Sequence, residues 1–232
     1  MKKKIYFLNA MILILIMSIP VSGKITSNYI YLGAGVCQLA KEIQIPGENN
    51  AWVVQTDTQS GMYLNMGAGY YDMWGDFRLE CDVSYRKNSI ADVEIVEMDV
   101  VGLSVHGGEG KVTSLSFILN GWYDLDIIGR WAVYFGGGLG ANRISLKEVY
   151  IETAPVVPNP KVTKTLYVND SDWRLSMQAG AGITFALSAN LLLDLGYRYY
   201  LTSDPHFMTE MDYEFITDMQ VNTFSLSLKF LF

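Results

Sequence analysis

Eight ionisable residues are spaced in a way that could carry chemistry. Arg78, Glu80, Asp82 and Arg86 fall two or four apart, Asp194 and Arg198 four apart, and Arg174 and Lys229 stand at even spacing from small or polar neighbours. In an extended chain such spacing puts each set on one face of a strand, with the apolar residues between them on the other. Charges of both signs gathered in a narrow space must pair, because an unpaired buried charge carries a penalty of several kcal/mol. Two readings follow, a structural salt-bridge network that plugs the space and a narrow path for ions.

Other candidates are weaker. Gly136-Gly137-Gly138-Leu139-Gly140-Ala141 fits the letters of a dinucleotide fingerprint. That motif must open a helix, and here Asn142-Arg143-Ile144-Ser145 continues an alternating strand. Similar glycine pairs at Gly33/Gly35, Gly67/Gly69 and Gly180/Gly182 point instead to room for Tyr and Arg side chains inside a small barrel. His106 and His206 lie far apart, and Ser203 and Asp204 beside His206 are neighbours in a connection rather than a triad. Glu210, Asp212 and Glu214 lack the spaced loop of a calcium site and read as a solvated acidic segment. No catalytic, cofactor or metal residues are assigned, and the chain is expected not to be an enzyme.

The elements that position these residues are strands. Eight alternating segments occur, at Tyr29–Val36, Gly61–Tyr71, Phe77–Arg86, Ser114–Asp124, Trp131–Ala141, Trp173–Leu187, Leu191–Tyr200 and Val221–Phe232. In the last, Phe224, Leu226, Leu228, Phe230 and Phe232 oppose Thr223, Ser225, Ser227 and Lys229. Connections alternate in length. They are short near Trp74-Gly75-Asp76, Asp126–Gly129 and Ser188-Ala189-Asn190, and long elsewhere, where Lys87, Lys111, Lys161 and Lys164 are expected to be open to protease. Within Lys87–Lys111, the run VEIVEM has the pattern to extend its flanking strands.

Segments of about 10 residues, tilted near 40°, cover roughly 25 Å, the height of an outer-membrane apolar band. A Lys or Arg facing lipid at mid-depth costs about 2–4 kcal/mol, which explains why the charges share the face opposite the apolar row. Arg143 breaks that rule near the outer end of its strand, where the cost falls to about 0–1 kcal/mol. The rival is a soluble barrel of the lipocalin kind, with its apolar face inward. Glycines on the charged face, aromatics near strand ends (Tyr70, Trp131, Trp173, Tyr199), the loop asymmetry and the terminal Phe232 favour lipid outside.

Composition and the chain start agree. Met1-Lys-Lys-Lys, an apolar run from Ile5 to Ile19 and the small residues up to Gly23 read as a secretory leader, giving a leader over 1–23 and a barrel domain over 24–232. Nothing after Gly23 is long and apolar enough to span a membrane as a helix. The formal charge is −7, and loss of Lys2, Lys3 and Lys4 makes the exported chain three units more negative, which argues against nucleic acid as partner. Cys37 and Cys81 fall on strands separated by a third and face opposite ways, so both are read as unpaired.

GDFRLECDVSYR, NGWYDLD, YFGGGLG and QAGAGITFALSANLLLDLGYRYY resemble, in order and spacing, the bacterial surface-antigen or opacity-type outer-membrane barrel family. The resemblance covers most of the exported chain, and its motifs describe strands, so it speaks to architecture more than to activity. It implies an all-β, eight-stranded antiparallel up-and-down transmembrane β-barrel with short periplasmic turns and long extracellular loops. The location implied is the outer membrane of a Gram-negative bacterium. The last strand is similar to the closing strand of such barrels. That similarity implies an assembly signal in Phe224, Leu226, Leu228, Phe230 and Phe232, read by the barrel-assembly machinery. The expected surroundings are outer-membrane lipid and lipopolysaccharide, with the loops as a surface for a host or cell-surface ligand. A surface antigen or adhesion protein is the leading function; a small porin or transporter is the alternative.

Overall fold

The computed structural model describes residues 28–40, 43–46, 52–71, 76–98, 103–155, 163–210, 212 and 214–232. The expected leader, the turn residues Trp74 and Gly75, and Lys161 lie outside them. In chain order the strands are β1 (Asn28–Leu39), β2 (Ile43–Pro46), β3 (Trp52–Thr58), β4 (Gly61–Tyr70), β5 (Phe77–Met98), β6 (Leu103–Ile128), β7 (Trp131–Pro155), β8 (Thr163–Ala186), β9 (Leu191–Thr202), β10 (His206–Met208), β11 (Glu214–Ile216) and β12 (Met219–Leu231).

Eight of these close a barrel in the order β1-β4-β5-β6-β7-β8-β9-β12, every neighbouring pair antiparallel. The ring is completed by β1 against β12, in unbroken register from Tyr29↔Leu231 to Leu39↔Val221. Closure leaves no free sheet edge at this level, which is what a strand structure needs in lipid, where no water can satisfy an open edge.

The last strand decides between the two barrel types. Leu228 is 49% exposed while Lys229, the next residue, is 2% exposed, and the alternation runs the length of β12. The apolar row points out and the charged row in, the reverse of a soluble ligand-binding barrel. Aromatics band the outer surface at both ends. Trp131 packs on Phe185 and Tyr123 on Phe135 near the short turns, with Phe117 against Trp173 and Tyr197 against Phe224 toward the other end. Cys37 is buried and Cys81 exposed, and neither forms a disulfide.

Inside, glycines on β4 let rings cross. A Cβ on Gly67 would lie 2.6 Å from the Tyr31 hydroxyl oxygen, and one on Gly69 would lie 2.3 Å from Tyr29 Cζ. Any larger residue there would push both tyrosines out of the bore.

The long connections contain much more strand than their composition suggested. β5 and β6 stay paired from Phe77↔Tyr123 to Ile90↔Gly110, after which β5 pairs with β3, while β6 keeps the pairing with β7 that it has along its whole length. The hairpin therefore parts into two sheets beyond the barrel, β2–β3–β5 on one side and β6–β7–β8 on the other. Lys87, Lys111 and Lys164 lie on strands, so they do not sit in open loops as expected. The period of two runs on past the rim, but the inward residue changes character. Arg86 and Asn88 give way to Ile90, Asn142 to Ile144 and Leu146, and Thr223 to Val221 and Met219, all buried. Above the lipid both sheet faces no longer meet oil, so the apolar row turns inward to build an ordinary water-excluding core.

Candidate functional site: the charged lumen

Seven of the eight charges singled out above are buried in the bore: Arg78, Glu80, Asp82, Arg86, Asp194, Arg198 and Lys229 are each at most 4% exposed. Arg174 is the exception. Its side chain is 31% exposed and its Nε pairs at 2.5 Å with Asp172, two residues away on the same strand, near the outer rim. It has the inward parity, but it stands where the bore opens, so water and a local carboxylate take the place of the network.

Arg198 organises the centre. Its Nη1 lies 3.0 Å from Asp82 Oδ2 and its Nη2 3.4 Å from Glu80 Oε1. Three strands separate β9 from β5 either way round the ring, so this pairing spans the bore. Glu80 also accepts from Tyr29 (2.8 Å), Tyr31 (3.1 Å) and Trp122 Nε1 (3.3 Å), and Tyr31 donates to Asp82 as well. Carboxylates gripped by several donors and a guanidinium repay much of the desolvation that burial imposes.

A second group lies nearer the short turns. Asp194 accepts from Lys229 Nζ at 2.9 Å, Thr184 Oγ1 at 3.1 Å and the Tyr134 hydroxyl at 3.1 Å. Arg78 donates to the Tyr71 hydroxyl, lies 3.5 Å from Asp124, and faces the Tyr134 ring at 4.5 Å. Toward the outer end, Arg86 donates to Ser116 Oγ at 2.8 Å and lies 4.0 Å from the centre of the Tyr200 ring. Ring faces thus stand in for carboxylates where none is in reach. These inward tyrosines, and Asp124, are the members that the charge pattern did not single out, although each has the parity of the charged face.

Apolar side chains lie above and below the charges. On the outer side Ile90, Val112, Leu146, Val149, Phe207 and Phe215 belong to one buried cluster. On the other, Tyr29, Tyr71, Leu192 and Leu231 form a smaller one. The two phenylalanines come from the β10–β11 hairpin, which docks on β8 through a Val168↔Thr209 bridge. Two carboxylates hold it there, Asp172 accepting the His206 amide at 2.9 Å and Asp170 the Met208 amide at 2.8 Å. Partial burial pushes the Asp172 carboxyl up, but the His206 amide and Arg174 outweigh it and hold the group below the usual carboxylate range.

The remaining polar candidates sit apart from the charged network. His206 Nδ1 faces Glu214 Oε1 at 2.7 Å, Ser203 Oγ donates to the Leu175 carbonyl, and Asp212 adopts a left-handed φ of 61°. Gly136 to Ala141 lie within β7. Among the described residues no group of three or more His, Cys, Asp or Glu is placed to hold a metal.

A closed antiparallel barrel with an apolar exterior, aromatic bands and a charged, buried lumen defines a membrane-spanning β-barrel. Residues 76–232 match the family model described as outer membrane protein beta-barrel domain, and the chain belongs to that family. It therefore resides in the outer membrane of a Gram-negative bacterium. The chain is similar to the outer membrane protein PagN of Salmonella typhimurium, 26% identical over 157 residues that cover 65% of this chain and 62% of that protein. It is also 33% identical over 89 residues to an uncharacterised protein of Brucella abortus, covering 38% of this chain and 30% of that one. The chain thus spans less than two thirds of the length of these relatives. Among solved structures it is similar to Neisserial surface protein A, with a TM-score of 0.48, 16% identity, and 88% of this chain and 97% of that one covered. The attachment invasion locus protein of Yersinia pestis, in complex with the heparin analogue sucrose octasulfate, gives a TM-score of 0.43 and 16% identity, covering 89% of this chain and 99% of that one.

Proposed function

We propose that this barrel is a non-enzymatic surface-display protein whose lumen is plugged. Its strands anchor a protruding two-sheet structure as an antigenic or adhesive surface. The observation that carries the reading is the Arg198 bridge to Asp82 and Glu80 across the bore, with apolar clusters on both sides of it. A hydrated ion would have to part that bridge and then cross a greasy layer. The strand extensions, with the β10–β11 hairpin docked on them, supply a firm platform for recognition of a host or cell-surface ligand. Refolded protein in planar bilayers should give no stable openings.

One observation favours the alternative, a small pore for ions or solutes. Several buried lumen atoms, including Arg86 Nε and Nη2 and both polar atoms of the Asn65 amide, have no hydrogen-bond partner among the described residues. Buried groups of that kind are commonly satisfied by internal water. Regular conductance steps from wild-type protein would establish the pore and remove the plug.

A further inference from the structure

Arg86 is the cation of the lumen that pairs with no carboxylate among the described residues. Arg198 takes Asp82 and Glu80, Lys229 takes Asp194, and Arg78 has Asp124 at 3.5 Å. Arg86 is as deeply buried as they are, at 1% exposed. The side chains around its head are neutral, namely Tyr63, Tyr200, Ser116 and, behind Ser116, Asn142. Ring faces offset part of a buried charge, but a cation shut away from water is costly without a counter-charge.

What the guanidinium still has to offer has a defined shape. Its Nη1 donates to Ser116 Oγ at 2.8 Å, and Ser116 is held in turn by the Asn142 amide oxygen and the Tyr200 hydroxyl. The Tyr200 and Tyr63 ring centres lie 4.0 and 5.1 Å from its Cζ and limit its rotation. Nε and Nη2, which share one edge of the group, have no hydrogen-bond partner among the described residues. Two parallel N–H groups along one edge are the fork that a planar oxyanion fits. Arg78 leaves the same edge without a partner, but there Asp124 balances the charge.

Asn65 brings a second such group. It is 2% exposed, and neither polar atom of its amide has a partner among the described residues. The pairs Tyr63↔Arg86 and Asn65↔Ser84 make it a diagonal neighbour of Arg86 on the inward face, about 7–8 Å away along the sheet. Gly33 gives its side chain room, since a Cβ there would lie 2.3 Å from Asn65 Oδ1. The amide can turn its two N–H groups toward the fork. Asn88, the next inward residue of β5, is already engaged with Cys37 and the Gln59 carbonyl. Beyond it Ile90, Val112 and Leu146 close the layer from outside water.

We propose that Arg86 and Asn65 hold one small carboxylate-type monoanion inside the barrel. Its two oxygens accept from Arg86 Nε and Nη2, and one of them also from the Asn65 amide. A single charge matches the one cation without a carboxylate, and the apolar layer above favours an anion of few heavy atoms. The site stands whether or not the lumen conducts, because it rests on the free edge of one residue and not on the plug.

The probe is formate, with ionic strength held constant by sodium sulfate, and the protein is the full chain refolded in detergent. Once formate exceeds its dissociation constant, each tenfold rise should multiply the folded-to-unfolded ratio in urea by about ten. Equilibrium dialysis with radiolabelled formate should find about one bound per barrel. Arg86→Met should show neither effect, and Arg130→Gln, in the tight turn at the far end, should match wild type. If Arg86→Met does not fold, Arg86→Lys, which keeps the charge and loses the fork, should bind at least about tenfold more weakly. Wild-type stability that ignores formate would mean that water satisfies the fork, and would overturn the proposal. An equal response from wild type and Arg86→Met would place the anion elsewhere and overturn it too. Chloride matching formate concentration for concentration would overturn the planar fit in favour of a halide.

Discussion

Arg198 and Asp82 meet at 3.0 Å from strands that stand opposite each other in the ring, so one ion pair bridges the whole bore. The same guanidinium reaches Glu80 and the Tyr63 hydroxyl and packs over the Trp122 ring. An inter-strand brace of this kind ties together two walls that the backbone ladder connects only through three intermediate strands.

Removing it should cost stability. Arg198→Ala strands two buried carboxylates and is expected to destabilise the barrel by about 3–5 kcal/mol, less where water enters the bore. Arg174→Ala, whose half-exposed side chain pairs only locally, should cost less than about 1 kcal/mol. Urea unfolding followed by the heat-modifiable band in gels would rank them. Equal midpoints would mean that the bridge contributes nothing.

Assembly should depend on the outward row of β12. Phe224, Leu226, Leu228 and Phe230 are each about half exposed, and the Phe232 amide donates to the Asn28 carbonyl at 3.0 Å where the first and last strands meet. Deletion of Phe232, or Leu228→Lys, is expected to lower the folded fraction in the outer membrane. Wild-type yield of a compact band from both variants would show that the row is not needed as a signal.

Topology can be read with single cysteines. Ser203→Cys lies exposed beyond β9 at the outer end, and Arg130→Cys in the tight turn between β6 and β7. A membrane-impermeant maleimide added to intact cells should label the first and spare the second until the outer membrane is opened. The native thiols should stay silent, Cys37 being buried and Cys81 facing lipid. Labelling at position 130 in intact cells would invert the barrel.

Acid should loosen the β10–β11 hairpin late. The Asp172 carboxyl is held below its ordinary value when it accepts the His206 amide, so its contribution is complete above the unfolded value of about 3.9. As pH falls through the lowered folded value, that contribution is lost. Hydrogen exchange at the His206 amide, corrected for intrinsic rate, should keep its protection from pH 7 to 5, and Asp172→Ala, which removes the acceptor, should lose it throughout. Loss of protection already near pH 6 would assign control of the hairpin to another group.

The eight strands of the barrel, the side that faces lipid and the inward placement of most charges were legible because a strand between two solvents must alternate, and each residue's side follows from parity alone. Lys229 is buried and Leu228 exposed for that reason. Arg174 shows the limit of the same rule, since parity gives the face but not the depth, and depth decides whether water replaces a partner. The long connections hid their strands because their inward residues, Ile90 and Leu146 among them, reverse the chemistry expected of that face once the wall leaves lipid. That Arg198 pairs with Asp82 and Glu80, while Asp194 takes Lys229, could come only from the closed ring. Barrel shear sets which residues stand level across the bore, and no local pattern in the chain records it.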